Sequence, residues 1–279
     1  YDAFRAVNLS LPKIAIDYAY IWNANRIFGE DHPNPEARDF RMHSHALNVQ
    51  YSGLGVGKLE GYAYLLDFVG RTSPRFSTAT YGVRFQGNHI ATPRLRLSYV
   101  LEAATQSDYA DNPNDIDAHY ALVELSGRYG VGKTVESIGL GIGYELLSGD
   151  GGADAKSADD AAGAFQTPLG TNHAFQGAAD RFLVTPGDGI RDAYVRLSAK
   201  IAGVQVAAEF HDFRADRDGY RYGREWNFLI EKPIAQRFLI GAQYADYQAE
   251  HNARNLARNS GLGQVFDLAK IWLYAQFRY

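Results

Sequence analysis

Hydrophobic and polar residues alternate along most of this chain. At its end, Ile271, Leu273, Ala275, Phe277 and Tyr279 form one series, and Lys270, Trp272, Tyr274, Gln276 and Arg278 the other. Period two is the signature of a strand with one apolar and one polar face. Leu95, Leu97, Tyr99 and Leu101 alternate with Arg94, Arg96, Ser98 and Glu102 in the same way, and Ala193, Val195, Leu197 and Ala199 alternate with Asp192, Tyr194, Arg196 and Lys200. Strands are expected near residues 3–10, 13–24, 42–52, 57–69, 78–87, 94–105, 116–129, 134–147, 190–200, 204–213, 223–232, 237–248 and 266–279. That makes about thirteen, most near the length a tilted strand needs to cross a bilayer.

The connections carry as much information as the strands. They alternate short and long: LPK, then NRIFGEDHPNPEARDFR; GVGK, then the whole stretch 148–189; AG, then RADRDGYRY. A soluble sandwich has no reason to gather its long loops at one end, whereas an outer-membrane barrel has tight periplasmic turns and long extracellular loops. Aromatic residues near strand ends (Tyr18, Tyr20, Trp22, Tyr51, Tyr81, Phe85, Trp226, Phe228 and Tyr244) match interfacial girdles. The expected fold is all-β: a single antiparallel transmembrane β-barrel domain over residues 1–279, in the outer membrane of a Gram-negative bacterium. Residues 148–189 are expected to form a long extracellular loop whose second half, with its phenylalanines and prolines, folds into the pore.

Composition narrows the function classes. No apolar run approaches the eighteen or so residues of a membrane helix. There is no cysteine, so disulfide and thiolate chemistry are excluded, and the net charge of −4 does not suit a nucleic-acid binder. The chain begins at Tyr1 without a signal segment, which suggests a processed chain or a fragment. If the last strand descends to the periplasmic edge, counting back makes the first parallel to it. An all-antiparallel barrel would then need further strands on the N-terminal side.

The segments GAFQTPLGTNHAFQGAADRFLVTPGDGIRDAYV, VAAEFHDFRADRDGYRYGREWNFLIEKP and GAQYADYQAE, together with IDYAYIWNANRIFGED and GKLEGYAYLLDF, resemble the alginate export family of outer-membrane porins. The resemblance covers most of the chain and departs from the family at Ala178, where an aromatic residue is usual. It implies an eighteen-stranded barrel of which about five strands are absent here. It also implies passage of an acidic polysaccharide such as the uronate polymer alginate.

GRYGVGKT (Gly127–Thr134) matches a P-loop pattern, but the residues after it alternate as a strand, and a P-loop needs a helix there. His43 and His45 share a strand face as a metal pair would, yet that face continues as Leu47, Val49 and Tyr51, which favours interfacial histidines. GDGGADAKSADDAAG lacks the spaced ligands of a calcium loop and reads as a solvated loop. His211 and Asp212 point to opposite faces and form no dyad. No cofactor motif and no catalytic set emerges.

The remaining constellation is charge on the polar faces. The candidate selectivity residues are Arg84, Arg94, Arg96, Glu124, Arg128, Arg196, Lys200, Glu209, Glu225, Lys270 and Arg278. They form either a hydrated wall with charges paired across strands or a surface that selects ions. A turn centred on Ile90 would set Arg84 opposite Arg96 and Gln86 opposite Arg94, with Glu124 opposite Arg96 from the next strand. The leading expectation is a passive porin in outer-membrane lipid for polar or anionic solutes. A barrel enzyme and a structural or adhesin barrel with a plugged lumen are the alternatives.

Overall fold

The computed structural model describes residues 1–26, 28–71, 73–150, 163–170, 173–235, 237–259 and 263–277. Among the described residues, thirteen strands form one sheet in which each pairs with the next in sequence. They are β1 (Asp2–Asn8), β2 (Ile14–Asn25), β3 (Asp39–Leu54), β4 (Gly57–Leu66), β5 (Thr78–Thr92), β6 (Leu95–Asp108) and β7 (Asp117–Gly130), followed by β8 (Val135–Leu147), β9 (Ile190–Ile201), β10 (Val204–Arg214), β11 (Arg221–Ile234), β12 (Phe238–Ala249) and β13 (Leu268–Phe277). Two short helices, α1 (Pro35–Arg38) and α2 (Ala253–Asn259), lie in the connections before β3 and β13. Among the described residues no helix is long and apolar enough to cross a membrane. Every pairing is antiparallel, and among the described residues β1 and β13 do not pair, so the sheet is open between them.

Each expected strand is present, and several run further than the alternation alone suggested. β3 begins at Asp39 and β5 reaches Thr92. The outward series is apolar and exposed: Leu140 54%, Ile142 53%, Ile271 69% and Leu273 78%. Trp22, Tyr51, Tyr81, Trp226, Phe228 and Tyr244 are exposed on the same side of their strands, as an aromatic girdle requires. The segment Gly127–Thr134 is the end of β7 and a tight turn into β8, not a helix start. Phosphate-loop geometry is therefore absent there.

The inner face is polar near the short turns and filled near the long loops. Phe165, Ala178, Ala179 and Phe182, all from the connection between β8 and β9, pack on Phe213, Tyr222 and Tyr247 of the wall. A smaller cluster joins Met42, Leu66 and Phe68 to Phe40, Phe76 and Leu169. The hydrophobic core is thus built where a loop segment meets the inside of the sheet. Below it lies an open cavity of about 1020 Å³.

Candidate functional site

Tyrosine over glycine organises the inner wall. Tyr62, Tyr194 and Tyr274 each lie directly across from a glycine on the neighbouring strand: Gly82, Gly143 and Gly241. At Gly143 even one methyl group would meet the Tyr194 ring at 2.1 Å, so the glycine is what lets the ring lie flat. Each tyrosine then reaches one strand further and donates its hydroxyl hydrogen to a carboxylate: Tyr62 to Glu102 at 2.7 Å, Tyr194 to Glu124 at 2.5 Å and Tyr274 to Glu231 at 2.6 Å. Glu124 is therefore a braced wall residue.

The β5–β6 hairpin differs from the sequence expectation. Its turn is Pro93–Arg94, not Ile90. Proline presets the backbone for that turn, and Thr92 Oγ1 accepts hydrogen bonds from the amides of Arg94 (3.3 Å) and Leu95 (3.0 Å). Moving the turn changes every pairing. Arg84 lies opposite Glu102 and forms an ion pair with it, and Gln86 lies opposite Val100. Arg94 sits in the turn, outside the strand ladder. Arg96 faces Ile90 on one side and Arg128 on the other, while Glu124 faces Val100. The like-charge opposition expected between Arg84 and Arg96 belongs instead to Arg96 and Arg128.

Most other candidate charges are spoken for. Arg196 pairs with Glu209, Lys200 with Glu136 at 2.5 Å, and Lys270 with Asp180 at 3.2 Å. Glu225 does not line the open cavity: it is fully buried and accepts a hydrogen bond from the amide of Ala179 at 2.9 Å. Gly177 covers it at a positive φ of 81°, where a Cβ would lie 2.6 Å from the carboxylate oxygens. Arg278 lies outside the described residues, as does most of GDGGADAKSADDAAG.

Sequence reasoning missed several residues that only register brings together. His211 and Asp212 do point to opposite faces, and Asp212 binds Arg221 and Arg214. On the inner face His211 finds other partners: Nδ1 lies 2.8 Å from Asp192 and Nε2 3.3 Å from Glu209. The Glu209–His211 spacing of two was legible, but Asp192 needed the β9–β10 register. His43 and His45 face outward, where the hydroxyls of Tyr20 (3.1 Å) and Tyr18 (2.8 Å) meet their Nδ1 atoms.

The segments 163–170 and 173–189 cross the inner face. Gln166 exchanges hydrogen bonds with Gln106 of β6 at 2.8 and 2.9 Å, and Phe165 stacks on Tyr120 of β7. Gln176 donates to Glu145 of β8 at 2.9 Å. On the far side Arg181 donates to the carbonyl of Phe266 at 2.8 Å, and the His173 ring lies 4.8 Å from Trp272. The base of this connection is clasped by a buried ion pair. Arg258 of α2 holds Asp188 with two hydrogen bonds of 2.7 and 2.6 Å, and Tyr220 adds a third at 2.8 Å. Burial, and then that bond to Asp188, push the Tyr220 phenol up to about 12, so it stays a donor at any working pH.

With this wall in view, comparison with solved structures gives a consistent result. The chain is similar to OccD3 (OpdP) of Pseudomonas aeruginosa, with a TM-score of 0.63 and 11% identity over 99% of this chain and 68% of that one. The fold is that of an outer-membrane β-barrel. OccAB4 of Acinetobacter baumannii matches with a TM-score of 0.60 and 14% identity over 88% of this chain and 60% of that one. The outer membrane protein OpdK from Pseudomonas aeruginosa matches with a TM-score of 0.61 and 14% identity over 98% and 70%. The chain thus spans between 60% and 70% of the length of these barrels. At such identities the likeness is one of fold. No family model and no curated protein matches the sequence, so the resemblance to alginate export gains no support from these comparisons.

Proposed function

We propose that this chain is the wall of a passive outer-membrane channel for polar and anionic solutes. It sits in outer-membrane lipid with its long loops facing outward, and residues 163–170 and 173–189 narrow the lumen. The observation that carries the reading is the two-faced wall: exposed aliphatic side chains outside, and charged, hydrogen-bonded side chains inside around an open cavity. The narrowing segment is itself tied to strands on both sides of that cavity. A charged lumen wall of this kind sets which ions pass.

An anionic solute is favoured by the two exposed arginines near the short turns, Arg96 and Arg128. OpdK, one of the structural neighbours, has been solved with vanillate, an aromatic carboxylate, which supports the same solute class here. An acidic polysaccharide such as alginate is the narrower reading and rests on sequence resemblance alone. A barrel enzyme is less well supported, because both ring nitrogens of His211 are occupied by carboxylates and neither is free to activate a nucleophile.

Reconstitution in a planar bilayer tests the reading. Discrete conductance steps are expected, and deletion of residues 165–186 raises the step size. Absence of steps would favour a plugged structural barrel, and an unchanged step size would place the segment outside the conducting path.

A further inference from the structure

Strands β6 to β9 meet near the short turns in a patch that the paired lumen charges leave open. Arg96 and Arg128 are direct cross-strand partners on the inner face, and neither makes an ion pair or hydrogen bond among the described residues. One step up the same strands, Ser98 lies directly opposite Ser126. The next strand contributes no side chains at these two levels, since Gly139 is paired with Arg128 and Gly141 with Ser126. Beyond the glycines stand Ser198 and Arg196 on β9. The floor between them is bare backbone, with Ser198 Oγ leaning to 2.5 Å from where a Cβ at Gly139 would be.

Two like charges set directly opposite one another in a sheet repel and destabilise it. Nearby carboxylates do not relieve that repulsion. Glu124 is held by Tyr194, Glu209 by Arg196, Glu136 by Lys200 and Glu102 by Arg84. We propose that Arg96, Arg128, Ser98, Ser126 and Ser198 form a binding station for a phosphoryl oxyanion, either inorganic phosphate or a phosphate monoester. The proposal rests on the channel reading for its purpose, since it names a solute class for that lumen.

Donor number and shape favour phosphate over a carboxylate. Each guanidinium presents a planar fork of N–H groups that matches two oxygens, and each serine adds one O–H. Two forks and three hydroxyls suit the several oxygens of a tetrahedral dianion. A carboxylate has two oxygens in one plane and would leave much of this donor set unused. The glycine floor supplies the depth that a tetrahedral group needs, and Arg196, already tied to Glu209, closes the β9 side without competing for the ligand.

The test is a binding measurement on the detergent-solubilised chain, separate from conductance. Inorganic phosphate and glycerol phosphate are titrated by phosphorus NMR line broadening, with acetate and malonate as carboxylate competitors. Phosphate should bind, and acetate and malonate should displace it only at much higher concentration. Arg96→Gln and Arg128→Gln should each weaken it by about tenfold or more, the loss of a charge-assisted hydrogen-bonded partner. Arg96→Lys, which keeps the charge and the wall but not the fork, should give an intermediate loss. Ser98→Ala with Ser126→Ala should weaken phosphate binding and leave acetate binding unchanged. The tighter of the two phosphoryl probes identifies the source. Equal displacement by malonate, or unchanged binding in both glutamine variants, overturns the station. Conductance without phosphate binding would sink the station alone, whereas phosphate binding without conductance would sink the channel reading and leave the station standing.

Discussion

The two halves of the lumen share one strand lattice and differ in how deeply charge is buried and how completely it is paired. Toward the long loops, ionisable groups are buried or half-buried and closed on one another: Asp188 with Arg258, Asp192 with His211, Asp180 with Lys270. Toward the short turns the pairs Arg196–Glu209 and Lys200–Glu136 are half-exposed, and Arg96 and Arg128 are exposed and open among the described residues. The row Tyr194–Gly143–Glu124 marks the border between them. In the upper half polar chemistry orders a loop that has little regular structure of its own. In the lower half the strand ladder already fixes the backbone, so side chains are free to face solute.

The largest effect should come from breaking the clasp. Arg258→Met leaves Asp188 buried without its cation and should cost about 3–5 kcal/mol, read from the denaturant midpoint in detergent. Pairing it with Asp188→Leu should restore most of that loss, because a buried ion pair replaced whole is close to neutral. No recovery in the double variant would show that the ion pair is not what holds the upper half.

The border comes next. Gly143→Ala drives a methyl group into the Tyr194 ring and should destabilise by about 1–3 kcal/mol, with the hydroxyl contact to Glu124 lost. A structure of that variant with the ring unmoved would refute the packing argument. The smallest effects concern selectivity. Arg96→Glu with Arg128→Glu should shift the reversal potential in a salt gradient toward cations. Arg94→Glu, out in the turn, should shift it least. If Arg94→Glu moved it as far, position within the lumen would not matter and the contrast between the halves would fail for function.

The fold was legible because period-two alternation and loop length are local properties, and each strand pairs with its sequence neighbour. The site was legible only in part. Arg96 and Arg128 were recognised as inward-facing, but their opposition was not. A turn placed at Ile90 instead of Pro93–Arg94 shifts every partner that β5 finds on β6. The signal that fixes the turn was present in Thr92–Pro93, where a hydroxyl cap precedes a preset φ. Glu225 reads as a lumen charge by alternation alone, because nothing local says that Gly177–Ala179 will lie on top of it. Asp188 and Arg258 are separated by 70 residues in two different loops, and no periodicity links them.

The sequential strand order has a consequence for how the molecule is made. A sheet of nearest-neighbour hairpins can be laid down strand by strand, with each new contact close in sequence to the last. The segment between β8 and β9 breaks that locality. Its partners reach back 60 residues to Gln106 and forward 90 residues to Lys270. Its full set of contacts therefore needs β6 and β13 together, unlike any single hairpin of the wall. The residues that cross the inner face thus act as a brace between strands distant in sequence, a role no hairpin of the wall can fill for itself.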